Sequence, residues 1–501
     1  MDINDPAAGS TASTNVATPA TSNIFRTIPE TLFATQSIKV DADSVARDVH
    51  RVSAQAGTGY GSLASPINGN RLRFEFIRQS GYIDLHNSYF LIGVQFSNAA
   101  ANGDAILAPD PFAAGTAFTE IRISVNQANN EIFRTTINDT YPIFVANLLT
   151  NYTRKELNKH PSLFLPFDAL TDQLVMGNVG DGVFVSATSR VATYCTGLYT
   201  KMHVIPLFIG DIMPRIEKQV FSNIGMLSIE LVLNPFISGA LTATGTRMLY
   251  PFSTASNANV ATDRACLTMC ELYVSTYKTP IERPIGGIEF MGYMYPLMYR
   301  RTLMAGTAEI TLPNVRNLQS LIMFRPTALN AWSPTYRVGL DAVPNAILAA
   351  LSNFALFDTG GGATVPPTAI YSADLTGQVN YPIQGFNLRY GSFEYPQQNI
   401  NLTTAVTQDV PSFEILYKEY CTCCGRFGTP LAPALSPEEF RMKMPMIAIS
   451  LKSKSDLPSR SPPADLILRF TGVMRQQEIF IILNTLRAME IDAHGNVRIQ
   501  E

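Results

Sequence analysis

From Arg71 onward the chain alternates. In Arg71-Leu72-Arg73-Phe74-Glu75-Phe76 every second residue is apolar, the period of a strand with one buried face. Runs of the same kind follow at 89–96, 120–125, 199–207, 227–233 and 266–274. The pieces between them carry Gly, Pro, Asn and Asp, the residues that turns require. The alternation resumes at 287–298, 308–312, 318–324, 382–390, 445–451, 465–470 and 478–484, and a hairpin is expected through Ala493-His494-Gly495-Asn496.

Two longer stretches switch to helical spacing. One begins at Pro142, a residue type suited to the first helical turn. It places Phe144, Leu148 and Tyr152 at helical intervals and fades toward His160, before Pro161. The second, over 345–357, has Ile347, Leu351 and Phe354 on one face and stops before Gly360-Gly361-Gly362. A shorter helix is expected over 413–420. The two long helices begin roughly two hundred residues apart, about the size of one β-sandwich domain. The chain therefore reads as mainly β, in two copies of one architecture with a helix in each, although no residue-level repeat is visible. The segment Thr279-Pro280-Ile281-Glu282-Arg283-Pro284 suits an extended linker between them, because two prolines close together disfavour helix.

The first seventy residues lack this order. Residues 1–23 are mostly Ala, Ser, Thr, Pro and Asn, which cannot bury apolar area and predict a flexible arm. Ile24, Phe25, Ile28, Leu32 and Phe33 could dock on something but not fold alone. Residues 55–70 are rich in Gly and Ser. From Met1 to Arg51 there are four basic and six acidic residues, so the arm is mildly acidic rather than a basic nucleic-acid tail.

Composition sharpens the class. Of 501 residues, 37 are Lys or Arg and 40 are Asp or Glu, a net charge of −3. The charged fraction of 15% lies well under the ~25% usual for soluble domains, while the hydrophobic fraction of 46% is ordinary. This excludes a disordered chain, and the sign of the charge argues against nucleic-acid binding through a basic body. Six cysteines (Cys195, Cys266, Cys270, Cys421, Cys423, Cys424) are too few for a disulfide scaffold in so long a chain. The start, MDINDPAAGSTAST, has neither the basic nor the apolar region of a secretory signal. No apolar run reaches the ~18 residues of a membrane span. Synthesis in a reducing cytosol is expected, and the sequons at Asn138, Asn151 and Asn401 then count as chance matches.

Candidate chemistry is sparse. There is no Gly-Lys-Ser/Thr phosphate loop, no His-Glu-x-x-His and no Gly-x-Ser-x-Gly elbow. The five histidines (His50, His86, His160, His203, His494) are scattered. Gly57-Thr58-Gly59-Tyr60-Gly61 resembles a dinucleotide loop but lacks the strand before and the helix after that such a loop needs. Asp358-Thr359-Gly360 is the aspartic-protease tripeptide, a chemistry that requires two carboxylates sharing a proton. With one copy present, a glycine turn after a helix is the simpler reading. Cys421 and Cys424 have a zinc-pair spacing without a second pair, and Cys266 and Cys270 suit buried packing on one strand face. Between Arg441 and Arg460 five basic residues and one acidic residue form a modest positive patch, diluted by Glu438 and Glu439 upstream. No catalytic, cofactor-binding or metal-ligating residue is assigned.

Several stretches in order resemble the double jelly-roll major capsid proteins of virophages and polinton-like viruses, with adenovirus hexon a more distant architectural relative. Val204-Ile205-Pro206-Leu207-Phe208 followed by the run from Leu227 to Phe236 looks like the close of a first jelly roll. Tyr277-Lys278-Thr279-Pro280-Ile281, then Ile310-Thr311-Leu312-Pro313 and the run from Leu318 to Pro326, looks like the opening of a second. Gly385-Phe386-Asn387-Leu388-Arg389-Tyr390-Gly391 before the short helix, and Glu478-Ile479-Phe480-Ile481-Ile482-Leu483-Asn484 before the terminal hairpin, also fit. The likeness covers roughly 70–501; the Cys-rich 421–424 segment and the polar arm depart from it.

The resemblance implies two tandem eight-stranded antiparallel β-sandwiches, each with a helical insertion, divided as a flexible arm over 1–70, a first jelly roll over 71–280 and a second over 281–501. It implies a structural protein without enzymatic activity or cofactor. The chain would form homotrimeric, pseudo-hexameric capsomers in the icosahedral shell of a DNA virus, beside neighbouring capsomers, a single jelly-roll penton protein and minor capsid proteins. No specific nucleic-acid binding is expected. Two other readings compete. An all-β carbohydrate-binding or hydrolysing protein would need paired carboxylates across a groove, and a single tryptophan, Trp332, is poor equipment for stacking sugars. A single jelly-roll capsid protein with long insertions, as in parvovirus-like shells, is disfavoured by strand patterns in both halves.

Overall fold

A computed structural model of the chain describes residues 47–97, 107–163, 201–214, 224–234, 252–254, 264–278, 289–324, 385–401, 410–424, 433–440, 446–451, 463–473 and 477–500, less a few positions inside these ranges. Up to residue 277 the strands are β1 (Arg47–Val52), β2 (Arg71–Ile77), β3 (Tyr82–Ser97), β4 (Leu107–Pro109), β5 (Phe118–Val125), β6 (Glu131–Arg134), β7 (Lys201–Phe208), β8 (Met226–Leu233), β9 (Phe252–Thr254) and β10 (Arg264–Tyr277). From residue 289 they are β11 (Glu289–Leu303), β12 (Gly306–Val315), β13 (Leu318–Phe324), β14 (Gly385–Tyr390), β15 (Phe393–Asn401), β16 (Ile447–Ser450), β17 (Ala464–Val473), β18 (Gln477–Ile491) and β19 (Val497–Gln500).

The pairing of these strands repeats. Among the described residues β4 and β9 pair only with each other, which leaves eight described strands before residue 280, in sheets ordered β1-β10-β3-β7 and β2-β8-β5-β6. Numbered one to eight along the chain, these are 1-8-3-6 and 2-7-4-5. After residue 288, with β19 set aside as an addition to β18, the sheets are β11-β18-β13-β16 and β12-β17-β14-β15. Numbered in the same way, these are again 1-8-3-6 and 2-7-4-5. Every ladder is antiparallel. Two four-stranded antiparallel sheets connected in this order make a jelly roll, and the chain contains that topology twice.

The alternation of the sequence sets the faces. In β2, Leu72 and Phe74 point into the core while Arg71 and Arg73 point out; in β5, Ile121 and Ile123 point in and Arg122 out. Phe90 in β3 lies 6.3 Å from Phe74 and 5.2 Å from Phe118 in the facing sheet, so its ring closes the two sheets of the first sandwich. In β17 the buried positions are Leu466, Leu468 and Phe470, with Arg469 outside and paired to Glu309 at 3.0 Å. Buried residues of both sandwiches belong to one continuous apolar core.

A helix follows the fifth strand in each sandwich. The first, Thr140–Asn151, is buried at every position from Thr140 to Thr150, as a helix apolar on all sides must be. The second, Val410–Cys424, buries Leu416, Tyr420 and Cys424 at four-residue spacing and exposes Ile415 and Lys418. It packs on β16, all four of whose residues are buried, and so covers a sheet edge that would otherwise stand open. The helices at this place in the repeat are Thr140–Asn151, which takes in the start expected at Pro142 but ends well before His160, and Val410–Cys424, which contains the shorter helix expected over 413–420. The stretch 345–357 and the Asp358-Thr359-Gly360 turn lie outside the described residues, as does the linker at 279–284.

The expected arm over 1–70 is too long. Arg47–Val52 pairs with β10 from Arg47↔Tyr277 to Val52↔Leu272, and Ile67 is buried with its N–H donated to the Leu267 carbonyl at 2.9 Å. The sequence Arg-Asp-Val-His-Arg-Val hides this strand because, on a sheet edge, only Val52 is buried. No helix among the described residues is long and apolar enough to cross a membrane.

Candidate functional site

The two sandwiches meet through polar groups that each would otherwise leave unsatisfied. Among the described residues β6 is the outer strand of its sheet, paired only to β5, so its other edge presents backbone carbonyls outside that ladder. β11, the first strand of the second sandwich, covers them. Tyr293 donates its hydroxyl to the Ile132 carbonyl at 2.8 Å, and Tyr295 donates to the Arg134 carbonyl at 3.2 Å. Both tyrosines are buried, and Phe133 packs edge-on against Tyr295 with ring centroids 5.6 Å apart. A buried aromatic whose hydroxyl still finds an acceptor is an economical cap for an open edge. Two tyrosines spaced by two fall on one strand face, the one signal of this joint that the sequence carries.

Charge adds a second contact. Arg300 of β11 donates to Asp139 at 3.0 Å, just ahead of the helix Thr140–Asn151. The Asp139 side chain is almost wholly buried. Burial holds its carboxyl above the ordinary carboxylate range, with Arg300 and the Thr136 hydrogen bond pulling the other way. The guanidinium also lies over the Phe480 ring at 5.3 Å.

The two helices supply the third contact. Tyr420 donates its hydroxyl to the Leu149 carbonyl at 2.8 Å, and Cys424 Sγ lies 3.6 Å from the same oxygen. Burial, reinforced by Cys424, pushes the Tyr420 phenol well above its ordinary value, so it remains a donor. At the terminal hairpin, Asn126 sits at φ +60° and accepts from the Gly225 N–H at 2.7 Å while donating to the Gly495 carbonyl at 2.7 Å. The joint is therefore built from four separated places in the sequence: the stretch from Asn126 through the first helix, β11, the helix Val410–Cys424 and the last hairpin.

The residues considered for chemistry are placed otherwise. His160, Asp211, Tyr152 and Ser162 come together, with His160 Nε2 3.5 Å from Asp211 and Tyr152 donating to Asp211 at 2.7 Å. Ser162 donates its hydroxyl to Asp211 at 3.3 Å, not to the histidine, and it is buried. This cluster ties the first helix to the end of β7 and lacks an exposed nucleophile. Gly57 and Gly59 pack against the backbone of Arg71 and Cys270, where a Cβ would fall 2.2 and 2.7 Å away, so this glycine run serves close packing. Burial raises the Cys270, Cys421 and Cys424 thiols, which keeps them protonated in the folded chain. Among the described residues no group of three His, Cys, Asp or Glu side chains could hold a metal ion. Most of the basic 441–460 segment lies outside the described residues.

A groove of about 430 Å³ runs over the outer face of β2, β8, β5 and β6. Its carboxylates already face arginines: Glu230 lies 3.5 Å from Arg122, and Glu120 lies 3.8 Å from Arg134. Cross-strand opposite charges of this sort stabilise a solvated sheet face. They do not form the pair of free carboxyls that glycoside hydrolysis uses.

No protein-family model and no curated protein matches the sequence. A chain in the cryo-EM structure of the Sputnik virophage aligns with 91% of this chain and 88% of its own length, with a TM-score of 0.52 at 11% identity. The two chains share one fold. The mavirus major capsid protein aligns over 100% of this chain and 96% of its own at 10% identity and a TM-score of 0.43. The Faustovirus major capsid protein aligns over 89% and 90% at 9% identity and a TM-score of 0.45. The double jelly roll read from the strand order is thus the fold of the Sputnik chain, and the joint described above is the seam between its two halves here.

Proposed function

We propose that the chain is the major capsid protein of a DNA virus, a structural subunit that assembles into trimeric, pseudo-hexameric capsomers of an icosahedral shell. One observation carries this reading: two jelly rolls of identical topology, fixed side by side, in a fold shared over 91% of the chain with a chain from a virophage particle. A chain that carries two equivalent sandwiches at a fixed mutual position presents three copies as six similar walls. Closed cyclic symmetry is the common outcome of such self-association.

Physical chemistry supports the same reading. A charged fraction of 15% suits a surface largely covered by neighbours, because charged residues are depleted at interface cores. The role requires no catalysis, and the buried, mutually satisfied polar clusters serve packing. The division is an N-terminal arm, a first sandwich that includes β1, and a second sandwich beginning between 279 and 288. Partners would be other copies of the chain, neighbouring capsomers, a single jelly-roll penton protein and minor capsid proteins. The location is the capsid shell of the virion after synthesis in the host cytosol.

Light scattering on the purified full chain at micromolar concentration tests the reading. Three chain masses, or multiples of three, are expected. A stable single-chain mass across that range would refute it.

A further inference from the structure

A row of charged residues crosses the outer face of the first sandwich from strand to strand. Arg73 of β2 stands opposite Glu230 of β8, Glu230 opposite Arg122 of β5, and Arg122 opposite Arg134 of β6. Arg71 and Glu120 lie one step along the same face, each opposite Val232. These residues line the groove of about 430 Å³, which therefore holds four guanidiniums and two carboxylates. Internal pairing does not use the guanidiniums up. Arg73 pairs with Glu75, and Arg122 bonds Glu131 at 2.5 Å and lies 3.5 Å from Glu230. Arg134 stands 3.8 Å from Glu120, too far for a hydrogen bond. Among the described residues Arg71 has no acidic partner, and neither the Arg71 nor the Arg134 guanidinium makes a hydrogen bond. Arg122 and Arg134 also face each other directly, and like charges directly opposite destabilise a sheet. Stability alone would be better served by a neutral or acidic residue at one of the two positions.

We propose that this groove binds an acidic oligosaccharide, a short sugar chain carrying sulfate or carboxylate groups. The planar fork of arginine matches either group. Arg71 and Arg134 stand on the two outer strands of the sheet, with backbones about 15 Å apart at ordinary strand spacing, so a single small anion cannot engage both. Between them Glu120 and Glu230 require hydrogen-bond donors, which sugar hydroxyls supply and a bare polyphosphate does not. The same carboxylates repel a ligand that is anionic along its whole length. No aromatic ring lines the groove, so a neutral sugar has nothing to stack on and the arginines must supply the affinity. The site lies within one sandwich and stands apart from the capsomer reading.

The test is calorimetric titration of the full chain with a heparin disaccharide, a galacturonic acid disaccharide, maltose, inorganic sulfate and tripolyphosphate. At least one acidic disaccharide should bind saturably, and the tighter of the two identifies the anionic group. Maltose should not bind, and inorganic sulfate should bind about tenfold more weakly, because it reaches only one end of the groove. Arg71→Gln and Arg134→Gln should each weaken the acidic sugar by about threefold to fivefold, the worth of one exposed charge pair. Their combination should weaken it by about tenfold or more, since distant sites add. Thermal unfolding should stay in place, because neither guanidinium is hydrogen-bonded within the chain. Absence of binding by both acidic sugars at millimolar concentration, or equal binding by the double variant, would overturn the site. Tripolyphosphate binding more tightly than either acidic sugar would overturn the sugar assignment.

Discussion

Replacing Tyr420 with alanine is expected to cost about 4 kcal/mol of stability, since truncating a large buried aromatic typically costs 3–5. Its ring is wholly buried, stacks on Phe440 at 5.2 Å and lies 6.1 Å from Tyr417. Its hydroxyl satisfies the Leu149 carbonyl of the first helix from a position 271 residues away in sequence. The alanine variant therefore loses apolar packing within the second sandwich and one of the fixed contacts to the first. Calorimetry should show the unfolding transition broaden or divide, because the halves would no longer melt as one unit. Tyr420→Phe keeps the ring and orphans the carbonyl only in part, since Cys424 Sγ remains 3.6 Å from it. Its cost should be about 1 kcal/mol, the usual net worth of a hydrogen bond. Equal losses in the two variants would mean that the hydroxyl, rather than packing, dominates at this position.

Arg300→Ala is expected to cost about 3 kcal/mol at neutral pH, because it strands the Asp139 carboxylate in a buried site without its counter-charge. The pH dependence gives the signature. Burial raises the Asp139 carboxyl above its ordinary value even with Arg300 present. The folded state then holds that proton more tightly than the unfolded state. Stability contributed by this group is fully present at pH below the ordinary carboxylate value and is lost as pH rises through the raised folded value. Removing Arg300 removes a lowering influence, so the window widens and the loss deepens. Urea unfolding of the variant should show a deficit that shrinks as pH falls toward 4. Asp139→Asn in the same background, which imitates the neutral acid, should recover most of the deficit at neutral pH. A deficit independent of pH would assign the effect to the packing of Arg300 over Phe480 instead of to charge.

Much of the fold is legible in the chain because both sheets of a sandwich expose one face, and that leaves a period of two. The runs at 71–76, 227–233, 318–324 and 465–470 coincide with β2, β8, β13 and β17 to within a few residues. The strands that escaped are edges. β1 and β6 are only six and four residues long, and β15, Phe-Glu-Tyr-Pro-Gln-Gln-Asn-Ile-Asn, is largely polar. An edge strand has a neighbour on one side only and few positions that must be apolar, so its pattern is weak. One of these edges, β6, forms the joint within the chain. The seam was therefore hidden for a physical reason: its donors and acceptors are backbone carbonyls of β6 and single tyrosines on β11, brought together by topology rather than by spacing. The strand order picks Val410–Cys424 as the partner of Thr140–Asn151, a pairing that helical spacing alone does not mark; the helix expected over 345–357 lies outside the described residues.

In the proposed capsomer, two jelly rolls per chain build a six-walled unit from three chains. Electron microscopy of the purified, full-length protein at micromolar concentration tests it most directly. Class averages with a hexagonal outline, six lobes and three-fold symmetry are expected. Two-lobed particles of a single chain, with no larger ring at any concentration that keeps the protein in solution, would contradict it.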